Sequence, residues 1–362
     1  MLDALLYDEQ AAGIGQYMRH LYEAYGKLFT PGDTVTALLH SSHELPGVTP
    51  ISVSWPTRRS ASRLIYEQLV LPFAAKRIGY DVIHFPDYQA PVFVHVPRSI
   101  VTVHDLVAFR FPEFFPPQAS AVKRMLLQRS VRIASRVVVP SEATRDDLQN
   151  VLEVPGEKIR VIPHGVRPRG SASEHPPHDR PYFLAVGTVE PRKNFSRLIA
   201  AYALLTRHRG DVPDLLIAGR LGWLYDEIVA APGKEHVAGR VHFLHYVSDE
   251  QLSTLYHHAV ALAYPSLYEG FGLPVIEAMS AGIPVVCSNR GALAEVGQDA
   301  VFGVEPDDVE SIAEGLQRVL TDNTERAIRV NKGRQRAQTY NWHRAAQLTR
   351  QVFLEVEKEA KG

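Results

Sequence analysis

The most informative segment of this chain is Glu269-Gly270-Phe271-Gly272-Leu273-Pro274-Val275-Ile276-Glu277. It follows a short apolar run at 259–264, which is typical of a buried parallel strand. Gly270 and Gly272 carry no Cβ, so the backbone can turn there and approach a ligand. Pro274 suits the first turn of a helix. The segment therefore predicts a strand, a loop and a helix start whose backbone N–H groups form an anion site.

Two carboxylates flank this predicted anion site, Glu269 in the loop and Glu277 about one turn into the helix. Carboxylates would repel a bare phosphate, but they can accept hydrogen bonds from sugar hydroxyl groups on either side of a diphosphate. The ligand implied is a nucleotide-sugar. The alternative is that Glu277 is a solvated helix residue and that Glu269 is a favourable charge near a helix N-terminus. For either glutamate alone, the alternative is favoured.

The complete string, with two acids eight apart around Gly-x-Gly-x-Pro, resembles the E-x7-E motif of retaining glycosyltransferases, family 4 in particular. This resemblance implies a GT-B fold, in which two Rossmann-like, doubly wound parallel-sheet α/β domains face each other across a cleft. It also implies that Glu269 holds hydroxyl groups of the transferred sugar and that Glu277 holds the ribose. Phe271, Gly272 and Leu273 would contact the donor.

Length and composition agree with two soluble domains. The chain has 362 residues, and its 39 Lys and Arg balance 40 Asp and Glu, so no net charge indicates nucleic acid as a partner. Cys287 is the only cysteine, which excludes intrachain disulfides and cysteine-based metal clusters. No apolar run approaches the roughly 18 residues of a spanning helix. A cytoplasmic protein is expected, with peripheral contact at the inner membrane face left open.

The first half of the chain alternates short apolar runs with helical patterns, which predicts a parallel sheet. A strand at 1–7 leads into a loop that ends in Gly13-Ile14-Gly15, before a helix at 16–28. A plain tight turn is the simpler interpretation of these glycines. The family resemblance instead places Gly13 and Gly15 against the donor phosphates. The predicted first strand is short for the family, which leaves open a natural start upstream.

His104 and Asp105 follow a predicted strand at 99–103. Ligands of open α/β sheets gather outside the carboxyl ends of the strands. A histidine that only caps a loop is the alternative. The pair resembles the family's active-site His-Asp, and the resemblance implies that His104 contacts the donor sugar or its phosphate.

A basic stretch at 118–136 has no acidic residue and mixes its cations with apolar residues. The cations are Lys123, Arg124, Arg129, Arg132 and Arg136. A basic amphipathic helix can lie on an anionic membrane. A solvated face on an ordinary domain helix is the favoured interpretation.

The residues at 158–166 resemble the family's exit strand from the first domain, and a Pro-, Ser- and Gly-rich stretch at 167–181 is the predicted linker. The predicted domains are 1–167 on the acceptor side and 168–342 for the nucleotide-sugar. By the resemblance, a last helix at 343–362 packs back on the first domain.

The second domain opens with a strand at 182–187 and the turn Gly187-Thr188-Val189-Glu190-Pro191-Arg192-Lys193-Asn194. Arg192 and Lys193 lie where a strand opens into a helix, so they can bind a pyrophosphate with charge-assisted bonds. A surface basic pair is the alternative. The sequence of this turn resembles that of family members that often use GDP-mannose. The segment His245-Tyr246-Val247 corresponds by resemblance to the loop that holds the nucleotide base.

Metal and cofactor sites are not expected. His242, His245, His257 and His258 have no acidic or cysteine partner at a credible spacing. The function implied is a retaining, metal-independent hexosyltransferase acting from a nucleotide-sugar, with GDP-mannose the best guess, to a glycan or lipid-linked acceptor in polysaccharide or glycolipid synthesis. A nucleotide-sugar 2-epimerase of the same fold and a non-catalytic nucleotide-sugar-binding protein remain as alternatives.

Overall fold

The computed structural model describes residues 1–7, 13–28, 33–40, 43–56, 60–167 and 173–360. It divides into two compact units, one formed by Met1–Gly165 with Asn341–Gly362 and the other by Val166–Tyr340.

The first unit is a seven-stranded, wholly parallel sheet in the order β3-β2-β1-β4-β5-β6-β7. Its strands are β1 (Leu2–Asp3), β2 (Thr36–His40), β3 (Thr49–Val53), β4 (Ile83–Phe85), β5 (Ser99–Thr102), β6 (Arg136–Val139) and β7 (Ile159–Val161). The helices between them are α1 (Ile14–Gly26), α2 (Ser60–Ile65), α3 (Leu71–Ile78), α4 (Val107–Arg110), α5 (Pro117–Ile133) and α6 (Glu142–Leu152). Neighbouring residues of one strand, such as Ile100 and Val101, belong to separate cores on opposite faces of the sheet.

The second unit is a six-stranded parallel sheet in the order β10-β9-β8-β11-β12-β13. Its strands are β8 (Tyr182–Val186), β9 (Asp214–Ala218), β10 (Val241–His245), β11 (Ala261–Tyr264), β12 (Val285–Ser288) and β13 (Phe302–Val304). Its helices are α7 (Phe195–His208), α8 (Asp226–Lys234), α9 (Asp249–His258), α10 (Leu273–Ala281), α11 (Gly291–Gly297), α12 (Val309–Thr321) and α13 (Asn323–Ala337). The two parallel sheets confirm the predicted doubly wound α/β class.

The last helix, α14 (Trp342–Glu359), belongs to the first unit and packs against α1. Trp342 shares a core with Tyr17, Met18 and Leu21 of α1. A Cβ on Gly165 would lie only 2.2 Å from the backbone nitrogen of Trp342. Glycine is therefore needed where the chain leaves the first unit.

Several elements differ from the sequence predictions. The first strand is only Leu2–Asp3, and α1 begins at Ile14, so Gly15 lies in the first helical turn and is buried. Gly13 precedes the helix with a φ of 64°. Residues 8–12 of the predicted glycine loop and 168–172 of the predicted linker lie outside the described residues. The basic helix α5 ends at Ile133 because the chain enters β6 at Arg136.

A wide, π-helical turn at Tyr66–Val70 separates α2 from α3. Within the described ranges, no helix is both long enough and apolar enough to cross a bilayer.

Candidate active site

The candidate site of the second unit lies at the carboxyl ends of β8 and β11, which are hydrogen-bonded neighbours in the sheet. This pairing brings the turn after β8 against the loop after β11. The backbone N–H of Leu267 donates to the carbonyl of Arg192 at 2.9 Å, and the side-chain amide of Asn194 donates to the carbonyl of Pro265 at 2.9 Å. The two segments that carry the predicted basic pair and the predicted first glutamate are thereby fixed against each other.

Both cations of the predicted basic pair form ion pairs with Glu269. Lys193 Nζ lies 2.6 Å from Glu269 Oε1, and Arg192 Nη1 lies 2.7 Å from Glu269 Oε2. The hydroxyl of Tyr264, the last residue of β11, donates to Glu269 Oε1 at 3.0 Å and accepts from Lys193 Nζ at 2.6 Å. Arg192 is also held by Glu190, whose Oε1 accepts from Arg192 Nε at 2.9 Å. Two acids and two bases therefore form one neutral cluster.

Burial sets the electrostatics of this cluster. Lys193 is 8% exposed and Glu190 is 1% exposed. Burial alone would raise the pKa of Glu269, but Arg192 and Lys193 outweigh it and lower that pKa from its ordinary 4.5 to about 2. Burial lowers the pKa of the Lys193 amine, an effect that Glu269 opposes. Glu269 is thus a carboxylate across the physiological range and can accept hydrogen bonds but not donate them.

The glycine loop before α10 has the geometry that its sequence predicts. Gly272 has a φ of 107°, and a Cβ there would lie 2.5 Å from Leu293 Cδ2. Pro274 occupies the first turn of α10. Phe271 has a buried ring that packs edge-on against Tyr340, with 5.7 Å between the ring centroids. Only its main chain is therefore available to a donor.

Glu277 lies in α10, and its Oε2 accepts a hydrogen bond of 2.9 Å from the hydroxyl of Tyr256 in α9. Tyr256 is fully buried. The carboxylate therefore has a fixed orientation instead of moving freely on the helix surface, which argues against the simplest alternative of a solvated helix residue.

The predicted base-binding segment begins at the end of β10. His245 has a φ of 56°, and its carbonyl accepts from the N–H of Gly219 at 2.8 Å. Tyr246 is 55% exposed, and the Arg220 guanidinium lies 4.6 Å from its ring centroid. Val247 packs against the neighbouring core. An exposed aromatic ring at the carboxyl edge of the sheet offers a stacking surface.

Sequence reasoning missed four residues around these sites: Glu190, Tyr256, Tyr264 and Arg220. Glu190 belongs to the turn at 187–194, and Tyr264 ends the apolar run at 259–264. A polar group at the carboxyl end of a buried strand is a signal that points to each of them. Tyr256 and Arg220 reach their partners from neighbouring elements, and no local sequence pattern indicates that contact.

In the first unit, the two residues of the predicted pair His104-Asp105 make different contacts. His104 Nε2 donates to the carbonyl of Pro86 at 2.8 Å. The centroid of its ring lies 4.8 Å from that of Tyr17 and 5.5 Å from that of His164. Burial lowers the pKa of His104, so the imidazole is neutral and its Nδ1 is an acceptor. Asp105 Oδ1 accepts at 3.1 Å from the N–H of Val107, the first residue of the short helix α4.

Comparison with known proteins matches each unit to a glycosyltransferase family model. The family described as "Glycosyl transferases group 1" matches residues 166–336, and "Glycosyltransferase Family 4" matches residues 12–170. The O-antigen chain mannosyltransferase B of Escherichia coli is 32% identical over 278 residues, covering 74% of this chain and 72% of its own. The Salmonella typhimurium O-antigen chain mannosyltransferase RfbU is 33% identical over 226 residues, covering 61% of each chain.

Solved structures show the same architecture. Sucrose-phosphate synthase from Thermosynechococcus elongatus matches with a TM-score of 0.77 at 25% identity, covering 98% of each chain. WaaG, a glycosyltransferase involved in lipopolysaccharide biosynthesis, matches with a TM-score of 0.74 at 19% identity, again over 98% of each chain. The fold class is therefore GT-B. The chain belongs to the group 1 and family 4 glycosyltransferases, which confirms the resemblance stated from its motifs.

Proposed function

We propose that this glycosyltransferase moves a hexose from a nucleotide-sugar to a glycan or lipid-linked acceptor in polysaccharide or glycolipid synthesis, with retention at the anomeric carbon and without a metal. GDP-mannose is the proposed donor. The buried cluster of Arg192, Lys193 and Glu269 is the observation that carries the proposal. The names of the bacterial mannosyltransferases among its relatives support the choice of sugar.

The difficult step is cleavage of the bond between the anomeric carbon and the nucleoside diphosphate. Negative charge grows on the leaving phosphate, and preorganised cations stabilise it because they need not reorganise during the reaction. Arg192 and Lys193 supply two such cations, and the N-terminus of α10 adds the positive end of a helix dipole. Groups of this kind are worth about 3–4 kcal/mol each in comparable cases.

Glu269 is proposed to bind hydroxyl groups of the transferred sugar, and Glu277 those of the ribose. A carboxylate with a pKa of about 2 is a weak base. Removal of the acceptor proton is therefore assigned to the departing phosphate and not to Glu269. When the donor binds, its phosphates would take over the cations, and its hydroxyl groups would replace the hydrogen bonds that Glu269 loses.

The contacts of His104 in the first unit support a more specific assignment of its role. Its Nε2 proton is directed to the Pro86 carbonyl, which leaves Nδ1 as an acceptor on a neutral ring. A neutral acceptor suits a sugar hydroxyl better than a phosphate oxygen, so we assign His104 to the sugar. The assignments of Gly13 and Gly15 to the donor phosphates, and of His245, Tyr246 and Val247 to the base, remain predictions. Asp105 is assigned as a positioning residue, because its carboxylate holds the N–H of Val107 at the start of α4.

The donor is tested by thermal unfolding and slow hydrolysis with GDP-mannose, UDP-glucose, UDP-N-acetylglucosamine, UDP-galactose and a dTDP-sugar, in buffer containing a chelator. A donor at 100 times its dissociation constant should stabilise the protein by about 2.7 kcal/mol. We expect GDP-mannose to give the largest shift and to release GDP. Proton NMR of the transferred sugar then reports the anomeric configuration.

Other outcomes of that screen favour the alternatives. An altered sugar formed without any acceptor would identify an epimerase, and stabilisation without turnover across an acceptor series would identify a binding protein. Loss of all turnover in the chelator would contradict the metal-independent mechanism.

Peripheral membrane contact is proposed for helix α5. Leu126, Leu127 and Val131 are buried, whereas Val122 and Met125 are exposed. A cavity of about 510 Å³ beside the helix is lined by Phe109, Met125 and three arginines. These arginines are Arg124, Arg129 and Arg132. Arg136 does not belong to this surface, because it pairs with Glu355 and Glu359 of α14.

The Arg124→Gln/Arg129→Gln double variant tests this contact. Each cation near an anionic surface contributes about 1 kcal/mol, so the variant should bind phosphatidylglycerol-containing vesicles about 30-fold more weakly in a sedimentation assay. Arg207→Gln removes an exposed cation from the second unit and is the matched control. Equal vesicle binding by the parent, the double variant and the control would contradict the proposal. Binding to neutral vesicles with an affinity that does not fall as salt is added would also contradict it.

A further inference from the structure

A cluster of two histidines and one aspartate lies at the amino edge of the second sheet. Asp214 is the first residue of β9, and His242 is the second residue of the adjacent β10. His178 belongs to the segment that precedes β8. Because the strands are parallel, this edge is opposite to the carboxyl edge that holds Lys193 and Glu269. The cluster is therefore separate from the candidate active site.

The ligand atoms of the three side chains converge. His178 Nε2 lies 3.0 Å from Asp214 Oδ2, and His242 Nε2 lies 3.6 Å from the same oxygen. All three ligand atoms are within 4.8 Å of one another. A tetrahedral ion with bonds of about 2.0–2.1 Å holds its donor atoms about 3.4 Å apart. Two of the separations bracket that value, and the two imidazole nitrogens lie within 4.8 Å of each other.

The surroundings of Asp214 leave one oxygen facing the histidines. Its Oδ1 is bound by Arg240 Nε at 3.2 Å and by Arg180 Nε at 3.3 Å. Metal-binding carboxylates are commonly held in this way by a second hydrogen-bonding group. His242 Nε2 is buried and has no hydrogen-bond partner among the described residues. A buried ring nitrogen without a partner, directed at a carboxylate oxygen, is the arrangement that a bound cation would satisfy.

We propose that His178, Asp214 and His242 bind one transition-metal ion of the zinc class through His178 Nε2, Asp214 Oδ2 and His242 Nε2. Two imidazoles and one carboxylate favour Zn²⁺, Co²⁺ or Ni²⁺ over Mg²⁺ or Ca²⁺. Water completes the coordination. Arg180 and Arg240 place positive charge near the ion, so the site binds more weakly than a closed structural zinc site and releases its metal to a chelator.

The role of this ion is structural. It joins the segment before β8 to the amino ends of β9 and β10, and it takes no part in transfer at the opposite edge. Metal-free enzyme therefore keeps its transfer activity, and the inference stands whether or not the proposed donor is correct. In the sequence, His242 stands near His245, His257 and His258, which offer no acidic partner. Strand pairing brings in Asp214 and His178 instead.

The test uses the full-length protein after removal of metal with a chelator. Titration with Co²⁺ should produce visible d–d absorption of a low-coordinate site at one ion per chain, and Zn²⁺ should abolish it by displacement. Zn²⁺ should also raise the melting temperature. His242→Gln and His178→Gln should each weaken Co²⁺ uptake by at least about tenfold, while His208→Gln, a change of an exposed histidine in α7, should leave it unchanged.

Circular dichroism and thermal melting of the metal-free variants establish whether each one folds. If His242→Gln fails to fold, His178→Gln still tests the inference. Equal uptake by all three variants would show adventitious binding only. The absence of Co²⁺ bands in the folded parent would show that the cluster is an ion-pair network. Either result overturns the proposal.

Discussion

Lys193→Met is expected to lower the kcat for sugar transfer by about 10²–10³-fold, the cost of removing one preorganised charge from a reaction that develops negative charge. Methionine has a similar length but carries no charge. In the variant, Glu269 keeps Arg192 and the hydroxyl of Tyr264 as partners, so the cluster is not left with an isolated carboxylate. Single-turnover measurements with saturating donor separate the loss in chemistry from any loss in binding.

Arg197→Met is the matched control for this experiment. Arg197 lies in α7 close to Lys193 in the chain, but its side chain is 42% exposed and its ion-pair partner is Asp307. It should retain nearly full activity. A loss of donor affinity without a loss of kcat in Lys193→Met would show that the lysine binds ground state and transition state equally.

Glu269→Gln and Glu277→Ala are expected to separate turnover from nucleotide affinity. Glu269→Gln should lower kcat far more than it weakens nucleoside diphosphate binding, because glutamine cannot hold the sugar hydroxyl groups with the same charge-assisted bonds. Glu277→Ala should weaken nucleotide binding and leave kcat at saturation less affected. Calorimetry with the nucleoside diphosphate and initial rates with the donor measure both quantities. Equal changes in both quantities for both variants would refute the division of roles.

The Glu269 variant also carries a stability cost. Removing the charge leaves the buried Lys193 without its carboxylate, whereas Arg192 keeps Glu190 as a partner. Breaking a buried ion pair in this way costs roughly 3–5 kcal/mol of unfolding free energy. The pH dependence has a definite sign. The pKa of Glu269 is about 2 in the folded protein and near 4.5 ordinarily, so its contribution is complete above pH 4.5 and disappears as the pH falls towards 2. The stability difference between parent and variant should narrow over that interval.

Local patterns predicted the framework of the second unit well. The apolar run at 259–264 contains β11 (Ala261–Tyr264), and α10 begins at Leu273 as the glycines and Pro274 indicate. They do not indicate the direction of the Phe271 ring, which is buried in the core. A short loop residue between two glycines gives no signal for the direction of its side chain, which is decided by the neighbouring Tyr340.

The contacts of the candidate site were harder to predict than its members. Sequence reasoning placed Arg192 and Lys193 against a pyrophosphate, and the structure pairs both with Glu269. That pairing depends on β8 lying beside β11, a long-range relation that no segment of the sequence expresses alone. The cluster of His178, Asp214 and His242 depends on strand neighbours in the same way.

The ion pairs of Glu269 have a consequence for the end of the catalytic cycle. Once the sugar has left, the remaining nucleoside diphosphate no longer presents the hydroxyl groups that occupied this carboxylate. Glu269 can then return to Arg192 and Lys193 and compete with the spent phosphates for the same cations. On the proposed mechanism, the enzyme carries its own internal competitor, which favours release of the nucleoside diphosphate and limits product inhibition.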